Sequence, residues 1–275
     1  MPSIRLAILL LLAALPVWAQ RSAEPSADVP SPRQHGPRKT FGHAPEPDTS
    51  DGSVKVLEST NWGGYAVTGL NFTQAQGSWT VPTVDCTKTP NTYASFWVGI
   101  DGWNNGTVEQ LGTDSDCNGT KPSFYAWYEF YPKYGINFDK FPVSPGDQIS
   151  ASVNYDGEKF TLTITNQTTN LSASRSGKVP QAKRASAEWI AEAPCCQYDG
   201  NFLPLSDFGT ISFGEDSTYA IDTNYASNDF ASGPIGAFGG HVRESVMVTN
   251  SGAKKAVPSS LSSDGTSFTV TWYAE

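Results

Sequence analysis

From about Val54 to Glu275 the chain is a succession of short apolar and aromatic runs separated by Gly, Pro, Asn and Asp. They read NWGGYAVTG, FTQAQGSWTVP, YASFWVGIDG, FYAWYEFYP, DQISASVNYDG, KFTLTITNQTT, AEWIAEAP, LSDFGTISFG, ESVMVTNSG and SFTVTWYAE. β-Branched and aromatic residues in short runs between turn formers predict strands. In NYDGEKFTLTITN, Asp156-Gly157 precedes Phe160, Leu162 and Ile164 at every second position, the pattern of a hairpin with one buried face. No window sustains a period of 3.6 residues. About ten closely spaced strands predict an all-β fold, an antiparallel β-sandwich.

The first 53 residues break this pattern. Met1 to Ala19 holds one cation, Arg5, then an apolar run from Leu6 to Val17 and the small-residue site Val17-Trp18-Ala19. This is the layout of a secretory signal peptide cut after Ala19, so a secreted protein is expected, extracellular or periplasmic. Residues 20–53 are rich in Pro, Ser, Arg, His and Asp, with almost nothing to enter a core. They read as a disordered pro-segment or linker, and residues 54–275 as one catalytic domain. The formal charge of -9 resides in that domain, because Arg5 offsets the single negative excess of residues 20–53. An acidic surface argues against nucleic acid and anionic membranes as partners and suits work at low pH. It also offers a docking ground for the pro-segment, with Arg38-Lys39 as the expected contact and a zymogen as the consequence.

Charge and cysteine content narrow the chemistry by elimination. In an exported chain Cys86, Cys117, Cys195 and Cys196 default to disulfides. Cys86 with Cys117 would staple the flanks of the FWVGIDGWNNGTVEQLGTD hairpin, while the adjacent Cys195 and Cys196 form a vicinal ring or find other partners. His35 and His43 fall in the pro-segment, leaving His241 alone in the domain, with no Gly-x-Ser-x-Gly elbow nearby. A histidine-based nucleophilic enzyme is therefore disfavoured, as is zinc hydrolysis, for want of ligand spacing. No metal and no cofactor is expected. A hydrolase of this composition would rely on a carboxyl group for proton transfer. Asp101, Glu109, Glu129, Glu188 and Glu192 are the carboxylates in strand-like, aromatic surroundings. Strand alternation puts Glu188, Ile190 and Glu192 on one face, and sets Gln110 opposite Glu109 and Leu111.

Four segments in order, NWGGYAV (61–67), FWVGIDGWNNGTVEQLGTD (96–114), YAWYEFYP (125–132) and AEWIAEAP (187–194), resemble the glutamic peptidases, the eqolisins. The resemblance spans essentially the whole domain. It implies two curved antiparallel sheets of the jelly-roll, concanavalin-like kind with a concave cleft, and a catalytic dyad of a glutamine and a glutamate. Matched residue by residue, the glutamine falls on Gln110 and the glutamate on Glu188. Trp62, Trp97, Asp101, Trp127, Glu129 and Tyr131 fall among substrate-binding positions. The implied activity is that of an acid endopeptidase: Glu188 takes a proton from an attacking water and Gln110 donates to the oxyanion. A protein or peptide substrate and a monomer follow. The rival reading is a secreted carbohydrate-binding or glycoside-hydrolysing β-sandwich, to which eight tryptophans would also lend stacking surfaces. Such a glycosidase needs two facing carboxylates where the motif match supplies one carboxylate and one amide.

Overall fold

Seventeen strands form among the residues described by the computed structural model, which are 33–41, 52–195, 202–214 and 224–275. In chain order they are β1 Lys55–Ser59, β2 Trp62–Thr68, β3 Gln74–Thr80, β4 Ser95–Ile100, β5 Val108–Asn118, β6 Lys121–Tyr131, β7 Ile136–Pro142, β8 Gln148–Tyr155 and β9 Phe160–Asn166. There follow β10 Leu171–Gly177, β11 Ser186–Glu192, β12 Thr210–Phe213, β13 Tyr225–Ser227, β14 Ser232–Pro234, β15 Val242–Val248, β16 Lys254–Pro258 and β17 Phe268–Trp272. A short 3-10 turn, Ile235–His241, precedes β15. The export signal read over residues 1–19, most of residues 20–53 and Cys196 lie outside the described residues.

The ladder runs β7-β6-β5-β4-β11-β2-β15-β1 through one layer. It continues β10-β9-β8-β3 and, through β12, to β17 and β16 in the other. Strands β15 and β16 pair across a register shift between Met247 and Val248, and there the sheet passes from one layer to the next. Strand pairs are antiparallel apart from β1 with β15. The fold is thus the antiparallel sandwich expected.

Alternation decides what each layer buries. Along β9 every second residue from Phe160 is buried, as the sequence pattern requires. Phe96, Leu111 and Trp189 from the first layer meet Ile149, Leu162 and Phe213 from the second in the main core. The first layer has a second apolar face. Trp62, Ala66, Trp97, Trp103, Val108, Trp127 and Ile190 form a separate buried cluster there. That explains why β11, at the centre of this layer, is buried at all of its seven positions.

The Cys86–Cys117 disulfide closes a separation of 31 residues and ties the loop before β4 to the end of β5. Cys195 is also disulfide-bonded. Among the described residues no helix is long and apolar enough to cross a membrane.

Candidate active site

Three rows of residues cross the second face of the first layer. Glu129, Gln110, Gly99, Glu188 and Ala66 align across β6, β5, β4, β11 and β2. Two residues further along come Trp127, Gly112, Trp97, Ile190 and Gly64, then Tyr125, Asp114, Ser95, Glu192 and Trp62. A period of two makes all three rows face the same side.

Two glycines let Trp97 lie down between these rows. A Cβ on Gly112 would stand 2.6 Å from the Trp97 Cβ and 2.2 Å from the Phe96 carbonyl oxygen. One on Gly99 would stand 2.9 Å from Trp97 Cζ3. With both side chains absent, the indole covers Gly99, the position between Gln110 and Glu188. Its Nε1 donates to Glu192 Oε2 at 2.8 Å, and Asn61 Nδ2 approaches Glu192 Oε1 at 3.4 Å.

Gln110 is wholly buried, and its Nε2 donates to Glu129 Oε2 at 2.9 Å and to the backbone carbonyl of His35. An amide oxygen could not face a carbonyl, so these partners fix which way the amide points. Glu129 and Glu192 are both held well above the usual carboxylate range, first by burial. Glu192 raises Glu129 further, and Asp114 raises both. Gln110, Glu129 and Glu192 are therefore one electrostatic unit.

Glu188 belongs to a different one. Its carboxyl is pushed up by burial and then by Asp101 and Glu109, and no hydrogen bond joins it to Gln110. Glu109 is raised to about 9, by burial and then by Asp101. Asp101 adopts φ 74° at the turn after β4 and accepts from the backbone N–H groups of Lys183, Arg184 and Ala185 at 2.8, 2.7 and 2.8 Å. It braces the approach to β11, away from Gln110.

Sequence reasoning passed over the acidic end of the face. Asp114 and Asp116 are fully buried, and the Tyr125 hydroxyl lies 2.7 Å from Asp114 Oδ2 and 2.8 Å from Asp116 Oδ2. Trp127 Nε1 donates to Asp114 Oδ1 at 2.6 Å. Burial, then Asp114, pushes Asp116 up to about 7, against the pull of Arg33. Two carboxylates two residues apart on the Gln110 face of a strand were the available signal.

Residues 33–41 lie along this face. Arg33 Nη1 is 2.5 Å from Asp116 Oδ2 and its guanidinium stacks 3.9 Å over Tyr93. His35 is stacked on Trp127 with ring centroids 3.5 Å apart, and its N–H donates to Glu129 Oε2 at 2.9 Å. Burial, reinforced by Arg33, lowers the His35 pKa well below its ordinary value. The carbonyl of Gly36 accepts from Trp62 Nε1 at 3.1 Å and that of Pro37 from Asn61 Nδ2 at 3.2 Å. Arg38 lies 3.9 Å over the Trp103 ring. Tyr131 borders Gly36 and titrates above its ordinary value through burial, Glu129 and Glu192. Five of the predicted residues, Trp62, Trp97, Trp127, Glu129 and Tyr131, are thus gathered around Gln110 and Glu192.

This face thus combines a fixed amide donor with buried carboxyls along an extended stretch of peptide. The chain belongs to the Peptidase A4 family, whose profile matches residues 60–272, and it is a glutamic peptidase. It is 29% identical over 223 residues to aspergillopepsin-2 of Aspergillus niger, covering 73% of this chain and 78% of that protein. With scytalidopepsin B of Scytalidium lignicola it shares 30% identity over 190 residues, covering 65% and 71%. Among solved structures, aspergilloglutamic peptidase from Aspergillus niger superposes with a TM-score of 0.53 at 29% identity, over 66% of this chain and 99% of that one. Scytalido-glutamic peptidase, solved with a transition state analog inhibitor, gives a TM-score of 0.65 at 24% identity, over 78% and 98%.

Proposed function

We propose that the protein is a secreted acid endopeptidase in which Gln110 stabilises the oxyanion and Glu192, in preference to Glu188, moves the proton. The observation that carries this reading is the double hydrogen bond from Gln110 Nε2, one arm to Glu129 and the other to a peptide carbonyl. Glu129 is a positioning residue: by accepting one N–H it aims the other at the carbonyl oxygen of an extended substrate. As that oxygen gains charge, a donor already in place strengthens its bond without reorganisation. Glu192, on the far side of the Trp97 ring edge and next to Trp62 and Asn61, takes a proton from water as the oxygen attacks the carbonyl carbon. It then returns that proton to the leaving amine. Burial holds Glu192 well above the usual carboxylate range, so its ionised form is a strong base toward the attacking water, while its protonated form, the larger share at acid pH, is a competent donor to the leaving amine. Trp62, Trp97, Trp127 and Tyr131 form the walls that grip the peptide and keep the carboxyls dry. Residues 33–41 act as a pro-segment that fills the cleft, and their contacts run from Arg33 to Phe41, well beyond Arg38-Lys39.

Gln110→Ala tests the reading. Hydrolysis of denatured casein at pH 3.5 should fall roughly 100- to 1000-fold with the fold retained. A loss of less than about 3-fold would remove Gln110 from the chemistry.

A further inference from the structure

The backbone of residues 33–39 is held as a bound peptide is held. The Arg33 carbonyl accepts from Gly135 N at 3.0 Å, and that of Gln34 from Cys195 N at 2.9 Å. The His35 N–H and carbonyl meet Glu129 and Gln110. The Gly36 and Pro37 carbonyls are taken by Trp62 and Asn61. Arg38 N donates to the Gly102 carbonyl at 3.1 Å, and Lys39 N to Asn61 Oδ1 at 2.8 Å. Side chains fix the register. The buried Arg33–Asp116 pair holds one end, the His35 ring on Trp127 the middle, and the Arg38 guanidinium on Trp103 the other end.

This register singles out one bond. The carbonyl on the Gln110 amide is that of His35, so the carbonyl carbon in reach of attack belongs to the bond between His35 and Gly36. The two residues that hold the backbone just beyond that bond, Trp62 and Asn61, are neighbours of Glu192. Gly36 brings no side chain to crowd the approach. We propose that the His35–Gly36 peptide bond is the one by which the chain first cuts itself. Water adds its oxygen to the His35 carbonyl carbon and gives one proton to Glu192. The C–N bond breaks, the Gly36 nitrogen receives that proton, and the products are a carboxyl terminus at His35 and an amine at Gly36. Asp116 is a positioning residue for this cut, because it anchors Arg33 three residues before the leaving nitrogen.

This proposal rests on the function proposed above, and the two fail separately. The precursor from Gln20 onward is acidified to pH 3.5 and sampled for intact mass and N-terminal sequence, with casein hydrolysis followed in parallel. The expected first products end at His35 and begin at Gly36, and they appear at a rate independent of protein concentration. Asp116→Ala, which removes the acceptor that Arg33 donates to whether or not the carboxyl is ionised, should slow this cut at least ~10-fold, while casein hydrolysis by already processed enzyme changes much less. Arg33→Gln gives a second variant with the same expectation and leaves the catalytic domain untouched. A first cut elsewhere, no cut in a preparation that digests casein, or a cut whose rate rises with concentration would overturn the proposal and leave the peptidase reading standing. Failure of wild-type protein to digest casein would instead count against that reading.

Discussion

Replacing Glu109 with Gln should flatten the dependence of stability on pH. Glu109 is buried beside Asp101 and Glu188, and its carboxyl titrates near 9 against an ordinary value of 4.5. A carboxyl whose folded pKa is raised binds its proton more tightly in the folded state. Its contribution is fully present below 4.5 and drains away as pH rises toward 9. Between pH 4.5 and 7 the unfolded chain gives up this proton while the native state keeps it, a span of about two and a half pH units worth roughly 3 kcal/mol at about 1.4 kcal/mol per unit. Glu188, raised in the same sense by the same neighbours, steepens the loss. Glu109→Gln removes one ionisable group while preserving volume. Urea unfolding of the wild type and variant at pH 4, 5, 6 and 7 gives the free energies directly. The variant should lose about 3 kcal/mol less than the wild type between the lowest and highest pH. Equal losses would refute the claim that a buried neutral Glu109 couples folding to protons.

Other expectations are independent of that one. Trp97→Phe keeps the ring over Gly99 but removes the donor to Glu192, and peptide hydrolysis should drop roughly 10-fold or more with little change in unfolding midpoint. Replacing Cys86 and Cys117 together by Ala should cost about 3 to 4 kcal/mol, from opening a loop with a sequence separation of 31, as read by urea unfolding without reductant. Activity should survive serine and cysteine reagents and metal chelators, as measured on casein at pH 3.5, and a loss on chelation would revive a metal mechanism.

Sequence pattern carried the architecture because a period of two is written locally. The alternation of Phe160, Leu162 and Ile164 is enough to orient β9. Gln110 was legible only through the ordered motifs around it, since a single amide in a strand has no local signature. Alternation placed Glu188 and Glu192 on one face and could not choose between them. The choice depends on Trp97, on the strand paired with that of Gln110, whose ring lies over Gly99 to reach Glu192. Asp101 looked like a site residue because it follows Trp97 so closely, yet its positive φ and its three backbone donors give it a structural task. Residues 33–41 read as coreless because their apolar content is low. Their burial comes from partners contributed by the domain, the Trp127 and Trp103 rings and the Asp116 carboxyl, which no window along the chain brings together.

The measurement that bears most directly on the whole account is a comparison of Glu192→Gln with Glu188→Gln. Both are isosteric, both replace a buried carboxyl of β11 on the same face, and both should remain folded by unfolding midpoint at pH 4. Initial rates on a peptide substrate at pH 3.5 should fall on the order of 100- to 10,000-fold for Glu192→Gln, which can neither take nor return the proton. Glu188→Gln should keep a rate within about 10-fold of wild type, since its carboxyl answers to Asp101 and Glu109 and makes no hydrogen bond with Gln110. The reverse result, with Glu188→Gln inactive and Glu192→Gln active, would contradict the assignment of the proton-transfer group.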